Sequence, residues 1–159
     1  MKADGACHGL QYLPGRDSFV LHEGFIGAKR FVFRKWSELA AERCRPQPAD
    51  LSGACKFGSL FMHRVFGGSI HGHYQHQYNI IGGRIVDLSH DALDVGAMAT
   101  PYLHEPEFFE IPEQIASLAK CVPRIDGWVA EFLNEHESAK SATIAPTDFW
   151  THARSSFPN

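Results

Sequence analysis

The chain has 159 residues, of which 44% are apolar and 21% charged, with a net charge near −3. That is enough for one domain with a buried core that needs neither disulfides nor metal. It argues against a nucleic-acid-binding protein, since no basic cluster exceeds Lys29-Arg30 with Arg34-Lys35, and no apolar run reaches membrane-spanning length. The first twenty residues lack the apolar core of a signal peptide, so a cytoplasmic location is expected. A leaderless export route would leave no mark.

Residues 1–16 are rich in turn formers and are expected to be irregular. "SFVLHEGFIG" (18–27) and "RFVFRK" (30–35) contain short β-like runs. "WSELAAERCR" (36–45) has good helix formers, with Ser37 available as a cap, and stops at the prolines of "PQP". The next helix is predicted over about 53–66. Asp50 or Ser52 can cap it, Cys55 sits in its first turn, Leu60, Phe61 and Val65 can face a core, and Gly67-Gly68 ends it. "HYQHQYNII" (73–81) and "RIVDLS" (84–89) are β-like runs joined by Gly82-Gly83, a two-residue hairpin signal.

"DALDVGAMATPYLHEPEFFEI" (91–111) is read mostly as loop, folding over the sheet with Phe108 and Phe109 in the core. Two helices follow, at 112–122 and 124–138, the second carrying Ile125, Trp128, Val129 and Phe132 on one stripe. The last twenty residues read as a poorly fixed tail. The expected organisation is a single α+β domain over 1–140 with a C-terminal tail at 141–159.

The chemistry-bearing residues are cysteines and histidines. Cys7, Cys44, Cys55 and Cys121 form no C-x-x-C pair, so free thiols are expected. Cys55 stands apart because a helix N-terminus favours a thiolate and offers unpaired N–H groups to a developing oxyanion. Taken alone, a cysteine in a helix is more often an inert core residue.

The hairpin adds the partners. With a Gly82-Gly83 turn, Ile81 faces Arg84, Tyr78 faces Asp87 and His76 faces Ser89. Side chains alternate, so His76 and Asp87 share a face as diagonal neighbours, while His71 and His73 point to the other. A carboxylate on one imidazole nitrogen leaves the other free to exchange a proton with a thiol.

This order resembles the papain-like superfamily, which includes transglutaminase-like and NlpC/P60-like proteins. It comprises a cysteine opening a helix, a histidine on one hairpin strand and an aspartate on the next. "FGG", then "HQYN", then "GGRIVDLS" is most similar to the small YunG-type bacterial family, over about Trp36 to Asp91. The resemblance implies a papain-like core, with the cysteine helix packed on a small antiparallel sheet. It also implies Cys55 as nucleophile, His76 as general base and Asp87 as its orienting acid. Asn79 matches a family position but alternates to the opposite face, so its role is read as structural. Where the family usually has Gln before the cysteine, this chain has Ala54. Oxyanion or substrate contacts are then expected from the backbone near Ala54, or from His73 or Gln75.

The expected function is a cysteine-dependent hydrolase or acyl transferase acting on an amide or ester, in a peptide or a small molecule. It needs no cofactor, nucleic acid or membrane. Two alternatives stay open. One is a histidine-rich metal-binding protein using His63, His71 and His73, with His90 able to join them. The other is a non-catalytic interaction module on the same fold, docking through aromatics of "PYLHEPEFFEI".

Overall fold

The structure, a computed structural model, describes residues 22–143. It is α+β. Its elements are α1 (His22–Glu42), α2 (Cys55–Phe66), β1 (Ser69–Gly72), β2 (Gln77–Ile81), β3 (Arg84–Val86), α3 (Leu93–Gly96), a 3₁₀ helix (Pro106–Glu110) and α4 (Pro112–Thr143). The strands form one antiparallel sheet in the order β1-β2-β3. No helix among the described residues is long and apolar enough to cross a membrane.

α2 is the centre. Phe57 through Met62, together with Val65 and Phe66, are buried. A helix apolar on so many sides must be covered on more than one. Two aromatic trios cover it with α1 and α4. Phe31, Phe61 and Phe132 stand 5.2–5.4 Å apart by ring centre. Phe57 lies 5.5 Å from Trp36 and 5.7 Å from Trp128. Each trio takes one ring from each helix, at spacings where aromatic pairs attract. The pairings Phe57–Trp128 and Phe61–Phe132 make α2 and α4 run parallel. Outside the rings, Arg34 bridges to Glu131 and Glu135, and Arg124 to Glu42.

Three expectations are corrected on this side. The β-like runs from residue 22 onward are helix, continuous with the helix expected at 36–45. Ala28, Phe31, Val32 and Leu39 are all buried, at helical spacing, and that period overrides the local β preference of Phe31-Val32-Phe33. Ser37 is therefore mid-helix, donating to Phe33 O at 2.9 Å. The two helices expected at 112–138 are the single helix α4, with Pro123 inside it. Leu118, Cys121, Ile125, Trp128 and Phe132 are buried at alternating three- and four-residue spacing. A mid-helix proline costs roughly 3 kcal/mol, whereas each large side chain in that stripe returns about 1.5–3 kcal/mol by burial. Residues 141–143 of the expected tail continue α4; the rest of it, and residues 1–21, lie outside the described residues.

The sheet covers another side of α2. Asn79 is buried and donates to Ser59 O of α2 at 2.9 Å, the structural role expected of it. The β2–β3 register is the expected one, with Ile81 opposite Arg84, Ile80 opposite Ile85 and Asn79 opposite Val86. Gly82 and Gly83 have φ of +55° and +74°, the left-handed pair that a two-residue hairpin of this hand requires.

β1 was not anticipated. "HYQH" is no strand but a second tight turn, with Tyr74-Gln75 at its tip. His73 and His76 flank it and exchange both backbone bonds, at 2.9 and 3.2 Å. Gly72 permits the close approach: a Cβ there would stand 2.1 Å from His76 O. His71 lies opposite Tyr78 and His73 opposite His76. Directly opposed residues share a face, so the expectation that His71 and His73 point away from His76 is corrected.

Candidate active site

Cys55 is the first residue of α2 and is half-buried. The loop before it is clamped to α3 by reciprocal bonds. Asp50 accepts from Ser52 N at 2.8 Å and from Leu93 N at 2.9 Å. Asp94 N donates to Ser52 Oγ at 3.3 Å, and Asp94 Oδ2 accepts from Gly53 N at 2.8 Å. The Ser52 hydroxyl first, then the N–H groups of Leu93 and Ser52, hold the Asp50 carboxyl below its ordinary pKa. Asp50 and Ser52 thus cap the first turn of α3, not α2 as expected. The residue at the α2 N-cap is Ala54, which has no capping side chain. The first-turn N–H groups of α2 therefore face the site without a side-chain acceptor from their cap.

His76 and Asp87 meet as expected. His76 Nε2 donates to Asp87 Oδ2 at 2.8 Å, and the two residues are 1% and 6% exposed. Asp87 Oδ1 accepts from Ser89 N at 2.9 Å, a local turn that keeps the carboxylate from rotating. Burial alone would lower the basicity of His76. That is the largest single effect, but the hydrogen-bonding and charge contributions of Asp87 and Cys55 together outweigh it, and the imidazole is raised from 6.5 to about 9. His76 therefore holds its proton at neutral pH.

The second ring nitrogen, Nδ1, is buried and has no partner among the described residues that meets hydrogen-bond geometry. Cys55 thus lies near enough to stabilise the imidazolium while falling short of a fully aligned bond. That is common before substrate binds.

The three candidate oxyanion or substrate contacts divide. The N–H of Ala54 is already engaged, donating to Leu51 O at 3.0 Å, so that candidate is corrected. The backbone donors that remain belong to Cys55 and the rest of the first turn. His73 is 4% exposed, and its Nε2 is buried without a partner among the described residues. Gln75 is exposed at the turn tip, its N–H 3.5 Å from His73 Nδ1.

The metal candidates are held in separate places. His63 Nδ1 bonds Gly68 O at 2.8 Å, and His71 Nε2 bonds Ser69 Oγ at 2.9 Å. Among the described residues, no group of three His, Cys, Asp or Glu is placed to hold a metal ion. The His71 ring instead lies 4.0 Å from that of His104 by ring centre, tilted by 37°, and burial first, then the His104 charge, lower its pKa.

Sequence reasoning missed Tyr102. Thr100 to Leu103 form a turn, Leu103 N donating to Thr100 O at 3.2 Å, with Pro101 in its second position. The turn brings the Tyr102 ring within 6.2 Å of His76 and 5.2 Å of Tyr78. Burial first, then the charge and hydrogen bond of Asp87, then Tyr78, raise the pKa of the Tyr102 phenol. Its one local signal was the "TPY" turn. Phe108 and Phe109, expected in the core, are half-buried on the 3₁₀ helix, and Phe109 packs against the core. A cavity of about 650 Å³ lies between α1 and α4, lined by Lys35, Glu42, Lys120, Arg124 and Trp128 among others; no residue of the Cys55–His76–Asp87 set lines it.

No protein-family model, curated protein or solved structure matches the chain.

Proposed function

We propose that the chain is a papain-like thiol enzyme, a hydrolase or acyl transferase acting on an amide or ester carbonyl. One observation carries the reading. A buried imidazole has its Nε2 on a fixed carboxylate and its Nδ1 unbonded, beside a cysteine at a helix N-terminus. A histidine merely satisfied in a core would have both nitrogens engaged.

The chemistry follows from the protonation state. With His76 protonated, the Cys55 sulfur attacks as thiolate, forming a C–S bond while the carbonyl electrons move to oxygen. First-turn N–H groups of α2 face that oxyanion. Collapse breaks the bond to the leaving amine or alcohol, which takes the Nδ1 proton. Neutral His76 then removes a proton from water, or from an acceptor amine, as it attacks the thioester. The C–S bond breaks, and thiolate and imidazolium are restored. Asp87 holds the ring's orientation throughout.

The test is Cys55 alkylation by iodoacetamide across pH, resolved by peptide mass spectrometry, in wild type and His76→Ala. It is paired with the burst of nitrophenolate from p-nitrophenyl acetate. The expected result is rapid alkylation at pH 7 that slows in the variant, and a burst that needs Cys55. Equal alkylation rates with no burst would sink the proposal.

A further inference from the structure

We propose that the segment from Thr100 to Glu105 is a strap latched by the His71–His104 pair, and that proton uptake by His104 opens it, baring the face of the sheet that carries His76 and Tyr78. The inference goes beyond the thiol-enzyme reading and stands apart from it, because the latch contains none of Cys55, His76 and Asp87.

Three hydrogen bonds tie the strap to the sheet. Tyr78 Oη donates to Tyr102 O at 2.8 Å, Glu105 N donates to Gly72 O at 2.9 Å, and Gly72 N donates to His104 Nδ1 at 3.2 Å. The first two are indifferent to mild acid. Burial raises the Tyr78 phenol above its ordinary value, so it keeps its proton, and peptide groups do not titrate. The third bond is different. A neutral imidazole accepts through one ring nitrogen, whereas an imidazolium has two N–H donors and no acceptor. A proton on His104 Nδ1 would meet the Gly72 N–H, donor against donor, so the closed strap excludes it.

His71 strengthens the exclusion. It precedes Gly72 on β1, and its ring centre lies 4.0 Å from that of His104. Two like charges that close repel, and burial and the His104 charge both favour neutral His71. Separating the rings relieves both costs, and His104 is on the strap while His71 is on the sheet. The other neighbours do not offset this. β2 brings the Tyr78 ring, 6.0 Å from His71, and the 3₁₀ helix brings the uncharged Phe109 ring, 6.0 Å from His104. The carboxylates of the strap and the chain after it, Glu105, Glu107, Glu110 and Glu113, are exposed, where water and salt screen them. His76 lies 6.2 Å from both Tyr78 and Tyr102 and is paired with Asp87. It titrates near 9, so its charge does not change where a freed imidazole gains one, below about 6.5.

What the strap covers follows from burial. Tyr78 and His76 are 4% and 1% exposed, with the Tyr102 ring 5.2 Å from the first and 6.2 Å from the second. The closed strap is favoured above the ordinary imidazole pKa and is lost as pH falls below it. Acid thus lifts a ring from the His76 face.

The experiment is amide hydrogen exchange of the Gly72 and Glu105 N–H groups, resolved by NMR and corrected for the intrinsic rate, at about pH 7.5 and about pH 5.5, on either side of an ordinary imidazole. In wild type both amides are expected to lose protection about tenfold at the lower pH, the effect of one proton that the closed strap refuses. The Phe61 amide, in the body of α2, is expected to hold its protection. His104→Asn keeps an acceptor near the Nδ1 position but takes up no proton, and both amides are expected to be equally protected at the two pH values. His104→Leu has no acceptor, and both amides are expected to exchange at the open rate at either pH. Protection in wild type that does not fall overturns the proposal, and so does a fall shared by Phe61, which would be global unfolding. An equal fall in His104→Asn overturns it, because the proton would be acting elsewhere. Full protection in His104→Leu overturns it too, because Nδ1 would then hold nothing.

Discussion

The two ends of α2 are built by different physics. Its body, from Phe57 to Phe66, is held by rings and aliphatic chains of α1 and α4, contacts that need closeness but little direction. Its N-terminus is held by hydrogen bonds that fail if an atom turns: the Asp50–Leu93 and Asp94–Gly53 clamp, and beside it Asp87 on His76. The apolar end confers stability, and the polar end confers geometry. The fold therefore separates mutations that unfold the protein from mutations that leave it folded and inert.

That separation can be broken or sharpened in order of expected size. Cys55→Ala removes the nucleophile and is expected to lower acyl transfer by at least about a thousandfold. Its thermal midpoint should stay close to wild type, measured by calorimetry. Phe61→Ala is the mirror case. It opens a hole where three helices meet and is expected to cost about 3–5 kcal/mol in denaturant unfolding, with little change in acylation rate per folded molecule.

His76 touches both sides of the comparison. Its folded pKa, near 9, lies above the ordinary 6.5, so the folded state favours the charged ring. Its contribution to stability is present in full below pH 6.5 and is lost as pH rises through about 9. Unfolding of wild type against His76→Gln should therefore differ at pH 6 and converge at pH 10. Arg124→Ala is the smallest perturbation. Its bridge to Glu42 joins α1 to α4 on the surface, and exposed pairs are worth about 0–1 kcal/mol.

The candidate site was more legible than the fold around it, for a physical reason. A two-glycine turn sets register within a few residues, and period-two alternation then assigns His76 and Asp87 to one face with no knowledge of the rest. β1 escaped notice because Ser69–Gly72 lacks apolar alternation and its turn, Tyr74-Gln75, carries no glycine. α1 escaped because Phe31-Val32-Phe33 is strand-like at short range, and its helical period emerges only over Ala28 to Leu39. Pro123 reads locally as a stop, and only burial distributed from Leu118 to Phe132 overrides it. The Tyr102 ring comes to Tyr78 and His76 from beyond α3, an approach that no local pattern encodes.

The bonds that His104 and Glu105 make to Gly72 bear on the behaviour of the protein in concentrated solution. A three-stranded sheet has two open sides, each a template on which a neighbouring chain can add a strand. β3 is a poor template, being three residues long with Arg84 exposed at its start. β1 is shielded where Glu105 and His104 occupy the outward N–H and C=O of Gly72. The two residues that tie the chain to Gly72 thus guard a sheet border against self-association.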